Sequence, residues 1–235
     1  MAEILLEIHG LPLEKLRAQG YDGACNMSGK HNGVQEIVRR SAPDALYVHY
    51  KAHCLNLAVV HSCKEPIIRT MMPVVQECAF AFHYSAKRLE AFSDELKDDQ
   101  DVKEAMDRKT KLKSLCETRW ISRPDALSTF KTAFLVVVHT LEHLVTQHDD
   151  KAAIYLSSIL RFDFIVGLVA CEHILCLVVH LSLFLQDPKC DMLSAIEECR
   201  VVLTQLNDAR NNQQVWDALF EEAVSLADQF DVEPT

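Results

Sequence analysis

Apolar residues recur at helical spacing over most of this chain and at strand spacing in only two short places near its start. Residues 2–9 form a short amphipathic helix that Gly10, Leu11 and Pro12 stop. The segment 16–21 reads as a strand running into a loop of small and polar residues, Asp22 to Gly29. Ser28 is placed to cap a helix over 30–40, which carries Val34, Ile37 and Val38 on one side; Ser41 to Asp44 break it. Residues 45–50, rich in β-branched and aromatic side chains, read as a second strand, and the pattern turns helical from Ala52. The order helix, strand, helix, strand, helix predicts a piece of an α/β layer. Two strands alone do not make a stable sheet.

Beyond Pro66 the strand pattern almost disappears. Helices are predicted over 73–84 and 85–96, then a charge-mixed run, 97–111, that reads as a solvated helix or loop. An extended segment, 115–120, precedes helices over 123–148, 151–160, 162–186, 190–207 and 213–229, punctuated at Asp187-Pro188 and Asn211-Asn212. The fold class this predicts is mostly α with a small α/β part. Three regions follow: an α/β segment 1–65, a helical connector 66–121 and an all-α domain 122–235. The run 164–185 approaches the roughly 20 residues that span a bilayer. Glu172, His173 and His180 interrupt it, and a central charge costs about 2.5–3.5 kcal/mol on insertion scales. It is therefore predicted to be a buried core helix, with no membrane partner.

Composition narrows the functional classes. The 235 residues are 49% hydrophobic with few Gly and Pro, which argues against widespread disorder. The net charge of −10 gathers toward the end of the chain: residues 188–235 hold three Lys/Arg against ten Asp/Glu. No region has a cationic surplus, so a free-standing duplex-binding module is disfavoured. Nine scattered cysteines and no basic, apolar leader predict reduced thiols in an intracellular protein.

Several residues are candidates for chemistry. Asp22 stands at a strand end before a glycine-containing loop, where an acid can hold Mg²⁺ or Mn²⁺ or, more commonly, close an Asx-turn. His53 with Cys54, near His49, His61 and Tyr50, invites zinc but lacks paired cysteines; a role for His53 in capping or orienting the next helix fits better. His139, Glu142 and His143 place two imidazoles on one helical face without the full metal-binding pattern. Glu172-His173 is expected to make a satisfied buried contact. Cys25 is a conceivable nucleophile only if His31 or His53 reaches it. Trp120 suits either helix anchoring or stacking on a base, with Arg119 on phosphate.

Three ordered blocks, residues 17–29, 45–57 and 115–120, resemble the hAT-superfamily transposases, with the flavour of domesticated zinc finger MYM-type-like proteins. The resemblance implies a partial RNase H-like layer of about two strands followed by a helical insertion domain. It implies that Asp22 is the second of three metal-binding acids, with the other two not visible. It also implies that Tyr50 and His53 are the remnant of a Cys-x-x-His motif, and that Arg119 and Trp120 are nucleic-acid contacts. The expectation is a catalytically inactive, truncated transposase-derived protein, nuclear by resemblance, binding DNA weakly or not at all. No cofactor is expected, Mg²⁺ or Mn²⁺ belonging only to the intact ancestral site. No small-molecule substrate is expected either. The alternative is a helical module that binds a protein partner.

Overall fold

The computed structural model describes residues 10, 12–106, 111–113, 122–187 and 189–234. The chain forms two compact units, Met1–Ala58 and Val59–Thr235. The first holds a 3-10 turn (Leu13–Lys15), β1 (Ala18–Tyr21), α1 (Cys25–Ser28), α2 (Val34–Ser41), β2 (Leu46–His49) and the start of α3 (Lys51–Ser62). The strands pair in parallel, Ala18 opposite Leu46 and Tyr21 opposite His49. Parallel strands need a crossover, and α1 with α2 provides it.

Val38, Ala42 and Ala45 form the small core of this unit, with Leu13, Leu16 and Val34 packed on it. Gln19 is buried on the same side; its amide donates to the carbonyls of Gln35 at 3.0 Å and Ala45 at 2.9 Å. That bond pair ties β1 to α2 and to the lead into β2. The other side of the sheet is open, with Leu46 68% exposed and Val48 also exposed.

The second helix starts at Val34 rather than at residue 30, and Ser28 ends α1 instead of capping α2. Gly29 and Gly33 explain the difference. A Cβ on Gly33 would lie 2.4 Å from the Gly29 nitrogen, so only bare backbone fits. The Gly33 N–H donates to the Gly29 carbonyl at 3.1 Å, and the chain turns there before the helix begins.

The second unit is helical: α4 (Pro66–His83), α5 (Ala86–Asp98), α6 (Gln100–Ala105), α7 (Ser122–Thr132), α8 (Phe134–Thr146), α9 (Asp150–Ile159), α10 (Phe162–Phe184), α11 (Met192–Asn211) and α12 (Gln213–Asp228). Short polar side chains start five of them. Ser85, Asp99, Asp149, Asp191 and Asn212 each accept a hydrogen bond from a first-turn N–H. Two boundaries differ from the periodicity reading. Helix α4 begins seven residues before Pro73, because Pro66 suits a first helical position and the buried stripe Met71, Met72, Val75, Cys78, Ala79 and Phe82 carries the helix through Pro73. The predicted long helix 123–148 bends at Ala133 into α7 and α8, while Ala133 and Val137 keep their i−4 hydrogen bonds.

The core of this unit runs from Met71, Phe82 and Phe92 through Phe130, Phe134, Leu141 and Leu144 to Ile165, Leu168, Ala223 and Ala227. Helix α10 lies at its centre, with Phe162, Phe164, Ile165, Gly167, Leu168 and Val169 buried. It is long and apolar enough to cross a membrane by length and composition. Its mid-helix acid is matched by a cation: Lys131 bonds Glu172 and Glu222, each at 2.9 Å. Burial works against the Lys131 charge, but the two carboxylates outweigh it and hold its pKa above the ordinary lysine value.

The guanidinium of Arg88 on α5 makes a two-pronged bond to Asp149, the cap of α9, at 2.7 and 2.8 Å. Both side chains are largely buried, 16% and 14% exposed. The Arg88 bonds, with help from the Ala152 N–H, pull Asp149 down to about 2. A carboxylate depressed in the folded state stabilises above its unfolded pKa of roughly 4 and loses that contribution as pH falls toward 2. Arg88→Met should therefore cost about 2 kcal/mol at pH 7, and the difference from the parent should shrink to about half by pH 3. Urea unfolding at both pH values checks this; a pH-independent difference would assign the cost to packing instead.

Candidate functional site

The crossover brings the ends of β1 and β2 together, and the residues there define the candidate site. Asp22 follows β1 directly and is exposed. Its carboxylate accepts a 3.3 Å bond from the Ala24 N–H, the Asx-turn arrangement for Asp before Gly. Its carbonyl accepts from the Tyr47 hydroxyl at 3.2 Å. The Ser28 hydroxyl donates to the carbonyls of Gly23 and Ala24, and the Gln35 amide holds the Ser28 carbonyl. The loop is thus fixed mainly through its backbone, leaving the Asp22 carboxylate at the surface.

From β2, His49 reaches the same place. Its ring stacks on that of His53, centroids 5.2 Å apart and 17° from parallel. Gly23 lies against both: a Cβ there would sit 2.8 Å from His49 Cε1 and 3.6 Å from His53 Nε2. The His49 Nε2 atom is buried without a hydrogen-bond partner. Tyr50 is exposed; its N–H donates to the Tyr21 carbonyl at 2.9 Å, and its own carbonyl accepts from the N–H groups of His53 and Cys54. His53 therefore sits in the first turn of α3 and orders that turn through its backbone, while its ring pairs with His49.

The other candidates are dispersed. Cys25 is an exposed free thiol on α1, and no described hydrogen bond joins its sulfur to a histidine. His139 approaches Glu95 at 3.4 Å, and His143 bonds Gln147 at 2.8 Å, so the two imidazoles of α8 face different partners. Glu172 is paired with Lys131, as the burial argument requires. Among the described residues no group of three or more His, Cys, Asp or Glu side chains converges as metal ligands. Arg119 and Trp120 lie outside the described residues. Eight described cysteines are free thiols. A hydrogen bond shared between Cys63 and Cys171 lowers the first and raises the second.

Sequence reasoning grouped His49 only loosely with His53. The alternation Tyr47, His49 on one side of β2, with Gly23 lying against His49 and His53, is the pattern that carries the contact. The exposed Asp22 carboxylate can accept hydrogen bonds, as it does from Ala24. Two-ion phosphoryl chemistry needs further converging acids.

Residues 1–33 match the DUF4371 family, described as the ZMYM1/FAM200, RNase-like domain. The chain is 24% identical over 243 residues to the mouse "52 kDa repressor of the inhibitor of the protein kinase", covering 97% of this chain and 31% of that protein. The human protein of the same name is 24% identical over 239 residues, covering 98% and 31%. The chain thus spans under a third of the length of these curated relatives. No solved structure matches. At low identity, these similarities support a transposase-derived ancestry with an RNase-like element at the start of the chain.

The geometry separates two roles of Asp22. Removing the carboxylate charge in Asp22→Asn should change unfolding free energy by less than about 0.5 kcal/mol, as at other exposed sites. Tyr47→Phe, which deletes the bond to the Asp22 carbonyl, should cost about 1 kcal/mol. Paired denaturant titrations measure both, and a larger loss in Asp22→Asn would make the carboxylate structural.

Proposed function

We propose that this chain is a hAT-type, transposase-derived nuclear protein that does not itself cleave DNA. The observation that carries the reading is the setting of Asp22. It occupies the strand end where the resemblance implies a metal-binding acid, yet its carboxylate closes a local turn at the surface, and no described acid converges on it. The parallel β1–β2 pair and its open face support a partial RNase H-like layer. Arg119 and Trp120 are the residues proposed to retain contact with nucleic acid.

A second reading, a helical module for a protein partner, is favoured by α11. Its buried Ala195 and Val202 point to the core, while Leu193, Ile196 and Leu203 form a separate exposed stripe, Leu193 at 80% and Leu203 at 59%. Glu197 borders it, paired with Arg200 at 3.3 Å, and residues 188–235 hold three Lys/Arg against ten Asp/Glu, so a basic amphipathic segment is the occupant this reading assigns. The relatives are named for repression of an inhibitor of a protein kinase, which accords with a regulatory role.

Purified protein with Mg²⁺ or Mn²⁺ should leave both single-stranded and duplex DNA uncut, and Asp22→Asn should behave identically. Metal-dependent cleavage that disappears in Asp22→Asn would sink the first reading.

A further inference from the structure

Helix α12 places Trp216 and Phe220 four residues apart, on one face. Opposite them on α10 stand Val166 and Ala170, also four apart, and the small Ala170 leaves space unfilled. The result is an apolar cavity of about 330 Å³ opening to solvent, with Asp217 and Gln213 in its wall. That volume is at the small end of ligand pockets and suits one large side chain.

The aromatic groups are held in place from behind. The Trp216 indole N–H donates to the Arg210 carbonyl at 3.1 Å, so its polar atom is already used and the ring is pinned. Phe220 meets Phe162 edge-on at 5.8 Å yet remains 51% exposed. The Asp217 carboxylate accepts from the Gln213 amide at 2.8 Å through one oxygen, and no described Lys or Arg pairs with it. Glu221 follows one turn on, and residues 188–235 carry three Lys/Arg against ten Asp/Glu.

An apolar wall, two aromatic rings and an unneutralised carboxylate select for an aliphatic stem that ends in a cation. A neutral apolar ligand would leave Asp217 facing a poorly solvated neighbour. A nucleic acid would bring phosphate to an acidic surface. We propose that the α10–α12 cavity receives the arginine or lysine side chain of a basic segment on a partner protein. The stem lies on Val166 and Ala170, and the charged head lies between the Trp216 and Phe220 rings and the Asp217 carboxylate. This deepens the protein-partner reading and rests on it.

The test uses the full chain carrying Trp120→Phe, which leaves Trp216 as its sole indole. The probe is a short arginine-alanine peptide, compared with the same peptide in which citrulline, uncharged and nearly isosteric, replaces arginine. The arginine peptide should change Trp216 emission saturably, and the citrulline peptide should not. Asp217→Asn and Phe220→Ala should each weaken binding about tenfold, a loss of the size expected for a desolvated cation on an aromatic and acidic site. Circular dichroism melts identify any variant that has lost its fold, and the conservative Asp217→Asn keeps the test valid if Phe220→Ala unfolds.

Equal binding of the citrulline peptide, or unchanged affinity in both cavity variants, overturns the assignment. If those variants bind normally while Leu193→Ser with Leu203→Ser weakens binding, the cavity fails and the partner reading stands. If no variant or parent binds the arginine peptide, the basic-partner reading falls with it. Self-association abolished by Phe220→Ala in sedimentation would assign the surface to a second copy of the chain and overturn the proposal.

Discussion

The helical unit is organised by the need to cover α10. This 23-residue helix carries apolar side chains around its circumference, and neighbours approach its buried positions from several directions while Ile174, Cys176, His180 and Leu183 remain exposed. Helix α4 approaches closest, where Gly167 leaves room for Ile67: a Cβ there would meet Ile67 Cγ2 at 2.8 Å. Helix α7 contributes Phe130, edge-on to Phe164. Helices α11 and α12 cover opposite ends, through His180 with Glu198 and Phe162 with Phe220. Burying α10 also buries Glu172, and an unpaired carboxylate there would cost several kcal/mol. Lys131 resolves this and, by also holding Glu222, fastens α7, α10 and α12 at one point.

The sequence was legible where one physical signal dominated. The 3.6-residue period located the helices of the second unit, the β-branched and aromatic run at 45–50 located β2, and the strand-like segment running into the Asp22–Gly29 loop located β1. The mostly α fold with a small parallel α/β part followed from these. What escaped the pattern was set by contacts between residues far apart or by backbone alone. The Gly29–Gly33 contact moved the start of α2, since glycine carries no periodicity. Pro73 read as a beginning, because proline is costly inside a helix, but Pro66 suits a first helical position and the buried stripe from Met71 to Phe82 carries the helix through it. At the candidate site, Asp22 and His53 were visible as residue types in suggestive places. The stacking of His49 on His53 against Gly23 was not, because it depends on the parallel register that sets Tyr21 opposite His49.

The two units differ in how much holds them. Among the described residues, the first has buried Val38, Ala42 and Ala45 at the centre of its core and a sheet face on which Leu46 stays in water. Hydrogen bonds from side chains to backbone do much of the work there: Gln19 spans three elements, Tyr47 fixes the Asp22 carbonyl, and Gln35 fixes Ser28. Such bonds each contribute roughly 1 kcal/mol, so they define loop shape more than they supply stability. The second unit has a continuous core of aromatic and aliphatic side chains, to which the Arg88–Asp149 and Lys131–Glu172 pairs are added.

That difference bears on which parts of the chain offer rigid surfaces. A metal site for phosphoryl transfer demands acids held to within a fraction of an ångström. A docking surface on rigid helices asks less of its neighbours. Helices α11 and α12 combine fixed geometry, exposed apolar and aromatic side chains, and most of the excess acid. Of those acids, Glu222 is drawn inward by Lys131 and Glu198 is matched by His180, whereas Asp217 is held only by a neutral amide. One carboxylate without a described Lys or Arg partner therefore lies beside the Trp216 and Phe220 rings. Under the proposed protein-partner reading, that combination suits a cationic protein segment better than phosphate.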